Sequence, residues 1–156
     1  MKNLKKLSIL FLIILLFITF FIKFNIIYIS VFSESMSPTL NIDDKVISIN
    51  KNLTNINTGD IIVFESNDEM YNGGLLIKRV VAKENDYVKI KDNKLFVNNQ
   101  FIKNIGDINS DNLDLLIDEN EFFVLGDNVN NSYDSRNYGP ILYSQILSKA
   151  IYIIKK

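Results

Sequence analysis

An uninterrupted apolar stretch near the start of the chain constrains its architecture more than any other feature. The segment Leu7–Ile22 carries no charged residue. As a helix it would span about 24 Å, slightly less than a bilayer core of about 30 Å, and Lys23 can extend its amine to the headgroups. The three lysines before it place the N-terminus inside the cell. We therefore predict a cytoplasmic segment 1–6, a transmembrane helix 7–27 and an extracytoplasmic domain 28–156.

A cleavable signal peptide is the alternative interpretation of this stretch, since its charged start and apolar middle fit both. However, the apolar run is longer than a typical signal-peptide core, and no Ala-x-Ala cleavage site follows it. A helix buried in a soluble protein would show a polar face, whereas this stretch is apolar all round. These features favour an uncleaved membrane anchor.

Composition narrows the chemistry that the rest of the chain can perform. The 156 residues include no cysteine and no histidine. A cysteine nucleophile, a disulfide and a thiolate metal site are excluded, and the usual general base is missing. Four of the 17 basic residues precede Glu34, which leaves 13 against 18 acidic residues in the remainder. This acidic balance argues against nucleic acid as a partner, because phosphate contacts require a basic surface.

Short strand-like runs separated by Asn, Asp and Gly predict a mostly β domain after the anchor. Asp92-Asn93 and Asn98-Asn99 suit tight hairpin turns, because Asn and Asp tolerate positive φ. The polar segment Lys103–Glu121 predicts a loop or a short helix. We predict an antiparallel sheet coiled into a barrel or a bent sheet. The predicted strands are Lys45–Ile49, Asp60–Phe64, Leu75–Val81, Tyr87–Ile90, Lys94–Val97, Gln100–Ile102, Phe122–Leu125 and Ile146–Ile153.

Four segments of this domain carry candidate functional groups, although each has an ordinary structural explanation when taken alone. Residues 33–40 fit a polar turn, and residues 59–64 fit a turn followed by a buried strand. Residues 126–136 fit a solvated Asn-rich loop, because they lack the spacing of a calcium loop. The remaining segment, 76–81, is an apolar strand that two basic residues interrupt.

The two basic residues of that strand, Lys78 and Arg79, point to opposite faces if the strand alternates. One of them should therefore face the interior or a cleft. A buried lysine is costly when charged and tends to lose its proton. An edge strand that uses lysine to prevent aggregation is the ordinary alternative.

Together, and in this order, the four segments resemble the bacterial type I signal peptidase family over nearly the whole chain, the anchor included. Four boxes in the right order make a chance match improbable, although each motif alone matches by chance often. The chain departs from the family in Ala82–Asp86, where many members have a glycine-rich turn, and Tyr138-Gly139 varies the end of the last box. The matching residues are Ser35, Met36, Pro38, Thr39, Gly59, Asp60, Lys78, Arg79, Val80, Gly126, Asp127, Asn128, Ser132, Asp134, Ser135 and Arg136.

The resemblance implies a β fold of the signal-peptidase, LexA-like type and a membrane-bound serine endopeptidase. Such an enzyme removes signal peptides from secreted preproteins after small residues, at Ala-x-Ala-like sites, through an acyl-enzyme and without a cofactor or metal. Its partners would be secretory preproteins, the lipid bilayer of the cell membrane and the secretion translocon.

The resemblance also implies roles by position. Ser35 would be the nucleophile and Lys78 the general base. Ser33 would help the Ser35 backbone N–H to hold the oxyanion, and Ser132 would donate or accept a hydrogen bond with Lys78 and orient it. Ser37 is the alternative nucleophile, but the position of Ser35 in the first matching segment favours Ser35. The remaining roles are ion pairs that brace the site and side chains that line the substrate pocket: Arg79 with Asp127, Asp134 with Arg136, and Val31, Met36, Leu76 and Ile77.

A lysine base requires its pKa to fall from about 10.4 to about 7. Burial beside apolar neighbours can lower it that far, and the positive charge of Arg79 would act in the same direction. Neutral Lys78 could then accept the Ser35 proton as the hydroxyl attacks a carbonyl.

Three other functions fit parts of the sequence. A LexA-like self-cleaving regulator would share the Ser–Lys chemistry, but it would need a DNA-binding domain and no anchor. An inactive relative that serves as an assembly factor should have lost Ser35 or Lys78. A tethered β module that only binds a partner leaves the four boxes unexplained. The sequence leaves open whether the substrates are general secretory proteins or a dedicated set such as pilins.

Overall fold

The structure is a computed structural model that describes residues 2–68, 73–106 and 113–156, with side chains from Lys5 onward. It contains one long helix, one short helix and eleven strands in the described residues. The helices are α1 (Lys2–Asn25) and α2 (Ser135–Tyr138). The strands are β1 (Ile26–Ser30), β2 (Lys45–Asn50), β3 (Ile61–Glu65), β4 (Leu75–Lys83), β5 (Tyr87–Lys91), β6 (Lys94–Val97), β7 (Gln100–Asn104), β8 (Leu113–Leu116), β9 (Glu121–Leu125), β10 (Ile141–Leu142) and β11 (Ile146–Ile154).

The helix α1 holds the apolar stretch of the sequence. Its segment Lys5–Asn25 has a mean hydropathy of 2.8 and none of it is buried against the rest of the protein. By length and composition this helix could cross a membrane. Strand β1 follows it directly at Ile26 and pairs with β2, so the chain passes from the helix into the main sheet without a linker.

A seven-stranded sheet in the order β1-β2-β11-β3-β4-β9-β10 forms the larger part of the domain. All of its ladders are antiparallel, and no ladder among the described residues joins β1 to β10. Strand β4 lies between β3 and β9, but β9 pairs with it only from Arg79 onward. The first part of β4, Leu75–Lys78, therefore has one edge without a strand partner in the described residues.

A second sheet in the order β7-β6-β5-β8 packs its inner face on the domain. Its two hairpin turns lie at Asp92-Asn93 and Asn98-Asn99, and all four residues have positive φ, between 50° and 65°. Such angles are those of a type I′ hairpin turn. The predicted antiparallel β fold with an N-terminal apolar helix is thus confirmed.

The segment Lys103–Glu121 differs from the predicted loop or short helix. Strand β7 runs on to Asn104, and Leu113–Leu116 forms β8, which pairs with β5. Leu113 and Leu115 pack on the core of the second sheet while Leu116 is exposed, so the leucines follow a strand's alternation. Residues 107–112 of this segment lie outside the described residues.

In the part of the chain that the structure describes, the hydrophobic core has three clusters, and one of them supports the loop between β1 and β2. Met36 and Leu40 of that loop are fully buried, and the backbone N–H of Val31 donates to the Asp44 carbonyl at the loop's base (2.9 Å). The polar segment after α1 is therefore held firmly on the domain. The residues of this cluster are Val31, Met36, Leu40, Val46 and Ile61.

Candidate active site

Ser35 and Lys78 meet at the open edge of β4. Ser35 lies in the β1–β2 loop next to the buried Met36, and Lys78 is in the middle of β4, paired with Ile62 of β3. The Lys78 amine Nζ lies 2.7 Å from the Ser35 hydroxyl Oγ, across a sequence separation of 43 residues. The hydrophobic core holds the backbone of the loop, and pairing with β3 holds the backbone of β4. The hydrogen bond therefore joins side chains whose backbones are both fixed.

The strand alternation separates Lys78 from Arg79 as predicted. Lys78 points inward and is 3% exposed. Arg79 points to the other face, where its Nε and Nη2 donate to both carboxylate oxygens of Asp127 at 2.8 and 2.6 Å. The Arg79 Nη1 also donates to the Gly59 carbonyl (2.8 Å). Segment 59–64 thus contacts Arg79 through the Gly59 carbonyl. The bidentate pair between Arg79 and Asp127 ties β4 to the loop after β9.

Burial lowers the pKa of the Lys78 amine from its ordinary value of 10.5 to about 8. Loss of hydration is the largest cause, because it penalises the ammonium form. The negative charge of Asp134 raises the pKa, and the positive charge of Arg136 lowers it. The positive charge that lowers the Lys78 pKa is therefore that of Arg136. We had expected this effect from Arg79, the neighbour in sequence.

Ser33 and Ser37 lie on the two sides of Ser35 and differ in their contacts. The Ser33 hydroxyl is 3.3 Å from the Ser35 hydroxyl, and either can donate. The Ser37 hydroxyl instead donates to Asn41 Oδ1 (3.0 Å). Of the three serines in this loop, Ser35 is the one bonded to the Lys78 amine, and Ser33 is next to it.

A buried carboxylate, Asp134, organises the loop opposite Ser35. It has no exposed side-chain surface and forms an ion pair of 2.7 Å with Arg136, which is itself almost wholly buried. Its Oδ2 also accepts hydrogen bonds from the Gly126 N–H (2.9 Å) and from the Ser132 hydroxyl (2.7 Å). This carboxylate therefore bonds to three residues of segment 126–136: Gly126, Ser132 and Arg136.

The contact of Ser132 differs from the predicted one. Its hydroxyl hydrogen goes to Asp134, and the described residues show no hydrogen bond between Ser132 and Lys78. Ser132 still lines the same cleft as Lys78, and Asp134 acts electrostatically on the Lys78 pKa.

A cleft of about 720 Å³ opens over Ser35 and Lys78. Its walls come from the end of β1 and the following loop, from the start of β4, and from the loop before Asp134. Beneath this cleft Met36 is 1% and Val31 4% exposed, so its floor is apolar. All four predicted pocket residues line this cleft: Val31, Met36, Leu76 and Ile77.

Two residues that matched the last box, Asn128 and Ser135, had no predicted role but make well-defined contacts. Asn128 bonds to the peptide groups beside Ser35, and the Ser135 hydroxyl accepts the Val124 N–H at 2.9 Å in the interior. Both belong to the last box, so the match itself was the available signal. In the described residues no group of three or more His, Cys, Asp or Glu side chains could hold a metal ion.

Fold and site together define a β domain that follows an apolar helix and presents a serine hydroxyl to a buried lysine amine. The profile of the family described as "Signal peptidase, peptidase S26" matches residues 4–155. The chain therefore belongs to the signal peptidase family, peptidase S26. The family expected from the four boxes is confirmed.

Several relatives carry names from the same family. The chain is 33% identical over 135 residues to the probable thylakoidal processing peptidase 2 of Arabidopsis thaliana, covering 79% of this chain and 36% of that protein. It is 33% identical over 131 residues to the signal peptidase I of Leptolyngbya laminosa, covering 76% of this chain and 64% of that protein. An inactive signal peptidase IA of Staphylococcus aureus is 33% identical over 122 residues, covering 70% of this chain and 67% of that protein.

Among solved structures, a signal peptidase I from Enterococcus faecalis is 24% identical, with a TM-score of 0.46. The match covers 60% of this chain and 94% of that one. The chain spans between about a third and two thirds of the length of the first curated relatives that it matches.

Proposed function

We propose that this chain is a membrane-bound serine endopeptidase that removes signal peptides from secreted preproteins, with Ser35 as the nucleophile and Lys78 as the general base. The observation that carries the proposal is the 2.7 Å hydrogen bond between the Ser35 hydroxyl and the buried Lys78 amine. Family membership alone would not carry it, since one relative in the family is named as inactive.

The reaction begins with neutral Lys78, whose pKa of about 8 leaves a usable fraction deprotonated near neutral pH. The Ser35 oxygen bonds to the scissile carbonyl carbon, and its proton passes to Lys78 Nζ. The carbonyl oxygen becomes an oxyanion, which the Ser35 backbone N–H and the Ser33 hydroxyl stabilise. Collapse breaks the C–N bond, and Lys78 returns the proton to the leaving amine.

Release of the acyl-enzyme repeats these steps with water. Lys78 takes a proton from the water as its oxygen bonds to the acyl carbon, and the ester bond to Ser35 then breaks. The same proton returns to the Ser35 oxygen. Each group ends in its starting state, so the cycle balances with one water consumed, and no cofactor is required.

The cleft suits an extended peptide that has small residues next to the cleavage site. The edge of Leu75–Lys78 that lacks a strand partner can form main-chain hydrogen bonds with such a peptide, which is strand addition. The shallow apolar floor that Met36 and Val31 form leaves room for small side chains at alternate positions. We therefore propose cleavage after small residues at Ala-x-Ala-like sites.

The placement of the helix supports a position at the membrane. Segment 1–6 would lie in the cytoplasm, and domain 28–156 would lie outside. The predicted span 7–27 would cross the bilayer once through α1, which ends at Asn25, so the last two residues of that span belong to β1. Nine residues, 26–34, separate Asn25 at the end of α1 from Ser35. The nucleophile would thus act near the outer surface, where the translocon delivers preproteins.

A cleavage assay tests this function. The full chain in detergent micelles or lipid vesicles would receive a preprotein with an Ala-x-Ala site, and N-terminal sequencing would locate the cut. Wild type and the control Ser37→Ala should cleave after the small residue, whereas Ser35→Ala and Lys78→Ala should not. Cleavage that survives Ser35→Ala would refute the assigned nucleophile, and a wild-type chain that cuts no preprotein would favour the assembly-factor alternative.

A further inference from the structure

Asn128 contacts both peptide groups that flank the Cα of Ser35. Its backbone N–H donates to the Ser35 carbonyl (3.0 Å), and its side-chain amide Nδ2 donates to the Glu34 carbonyl (3.1 Å). One residue of the last box therefore holds the backbone of the nucleophile before and after its Cα. The two bonds join segments more than 90 residues apart in sequence.

The bond to Glu34 has a consequence for the Ser35 N–H, because the two groups share one peptide unit. A trans peptide is planar, and its C=O and N–H point in opposite directions. A donor that fixes the direction of the Glu34 carbonyl therefore also fixes the direction of the Ser35 N–H. Rotation of this unit about its axis would break the bond to Asn128 and change the direction of the Ser35 N–H.

We propose that Asn128 is a positioning residue for the oxyanion: its side-chain amide holds the Glu34 carbonyl so that the Ser35 N–H points at the developing negative charge. The inference rests on the proposed function, in which that N–H is an oxyanion donor. Oxyanion stabilisation depends on donors that are already aimed before the reaction, and a peptide unit in an exposed loop is not aimed unless something holds it. Glu34 is exposed, so packing alone does not hold this unit. Within the loop the Glu34 carbonyl also accepts the Ser37 N–H (3.0 Å), and the Asn128 amide is the donor that ties this carbonyl to the opposite loop.

The support behind Asn128 makes it a rigid clamp. Asp127, its neighbour, is held by two of the three guanidinium nitrogens of Arg79. On the other side, the Asn131 N–H donates to the Asn128 carbonyl (3.0 Å) and closes a short turn. Gly126 lies so close to the Ser35 carbonyl that a Cβ there would clash with it. The loop can thus approach the nucleophile closely and keep Asn128 in place.

Asn131 offers a matched control because it presents the same amide to the same residue. Its Nδ2 donates to the Glu34 side-chain oxygen Oε2 (3.2 Å), not to the Glu34 carbonyl. Removing it costs an amide hydrogen bond between the same two loops but leaves the peptide unit bonded to Asn128. A difference between the two asparagines therefore separates aiming of the N–H from general attachment of the loops.

The test compares Asn128→Ala, Asn128→Asp and Asn131→Ala in the full chain. Loss of a whole oxyanion donor costs about 10² to 10³ in kcat. We expect the two Asn128 variants to lose at least about tenfold in kcat, with KM changed by less than about twofold, since a retained but misdirected donor is worth less. Binding of a peptide aldehyde ending in alanine, which forms an oxyanion-like adduct, should weaken by a similar factor. Asn131→Ala should lose several-fold less.

The outcomes are distinguishable. The near-isosteric Asn128→Asp, which lacks the amide donor, covers the case in which Asn128→Ala fails to fold, and melting temperatures measured in the same micelles identify that case. If both Asn128 variants match Asn131→Ala, or lose activity through KM alone, Asn128 does not aim the N–H. If the wild type cleaves no preprotein, the proposed function fails and this inference fails with it.

Discussion

Replacement of Lys78 by methionine should stabilise the protein while it abolishes cleavage. The Lys78 amine is 3% exposed, and its pKa falls from 10.5 to about 8 on folding. The difference of about 2.5 pKa units corresponds to about 3 kcal/mol at pH 7, because each unit is worth about 1.4 kcal/mol. Methionine has a similar length and no charge, and the Ser35 hydroxyl would keep its neighbour Ser33 at 3.3 Å.

The pH dependence of this gain gives the prediction its sharpest form. The folded pKa of Lys78 lies below the unfolded one, so the unfolded chain binds more protons between about pH 8 and 10.5. The cost of the buried amine is therefore complete below pH 8 and disappears as the pH rises to 10.5. The difference in unfolding free energy between Lys78→Met and wild type should shrink by up to about 1.4 kcal/mol per pH unit across that window.

Denaturant unfolding of the full chain in micelles, at pH 7, 8, 9 and 10, would measure the difference. The chain has seven tyrosines and no tryptophan, so tyrosine fluorescence reports on the domain. Lys94→Met, at an exposed position of the second sheet, is the matched control for the loss of one lysine. A Lys78→Met protein that is no more stable than wild type at pH 7, or a difference that stays constant up to pH 10, would refute desolvation as the cause of the lowered pKa.

Three further predictions concern the same site. Cleavage, measured as kcat/KM from pH 6 to 10, should rise with pH and level off above about pH 8, because only neutral Lys78 accepts the Ser35 proton; a flat profile between pH 6 and 9 would contradict this. Asp134→Asn should lower the free energy of unfolding by about 3 to 5 kcal/mol in denaturant titrations, because it leaves buried Arg136 without its carboxylate. Gly126→Ala should abolish cleavage, because its Cβ would overlap the Ser132 hydroxyl and the Ser35 carbonyl; wild-type activity in this variant would show that the loop relaxes.

Much of the fold could be predicted from local sequence signals. The eight predicted strands all occur, and the paired Asn and Asp residues adopt the positive φ values that hairpins need. Strand β1 was missed because Ile26–Ser30 continues the hydropathy of the helix without a break, and only its pairing with β2 defines it. Strand β8 was not predicted because it has four residues and a single polar one, Asp114. So short a segment shows too little alternation to indicate a strand.

The roles of the site residues could be predicted where they followed from the family's sequence motifs. Contacts between residues far apart in the sequence could not. Alternation required Lys78 and Arg79 to face opposite ways, but it could not say which one faced inward. The sequence neighbour Arg79 was expected to act on the Lys78 pKa, whereas the cation that does so is Arg136, 58 positions later in the chain. Likewise the Ser132 hydroxyl donates to Asp134, which is fully buried. No local sequence pattern indicates that Asp134 is buried.

The ion pair between Asp134 and Arg136 explains how a charged brace can lie near a base that must lose its proton. A lone carboxylate beside Lys78 would hold its ammonium form and raise the pKa. Here the two charges act on Lys78 in opposite directions, so the pair fixes the loop through strong hydrogen bonds while the effects of its two charges on Lys78 partly cancel. Desolvation then sets the pKa, and the apolar neighbours of Lys78 in the cleft control it. Loss of one member of the pair alone would therefore shift the Lys78 pKa as well as loosen the loop.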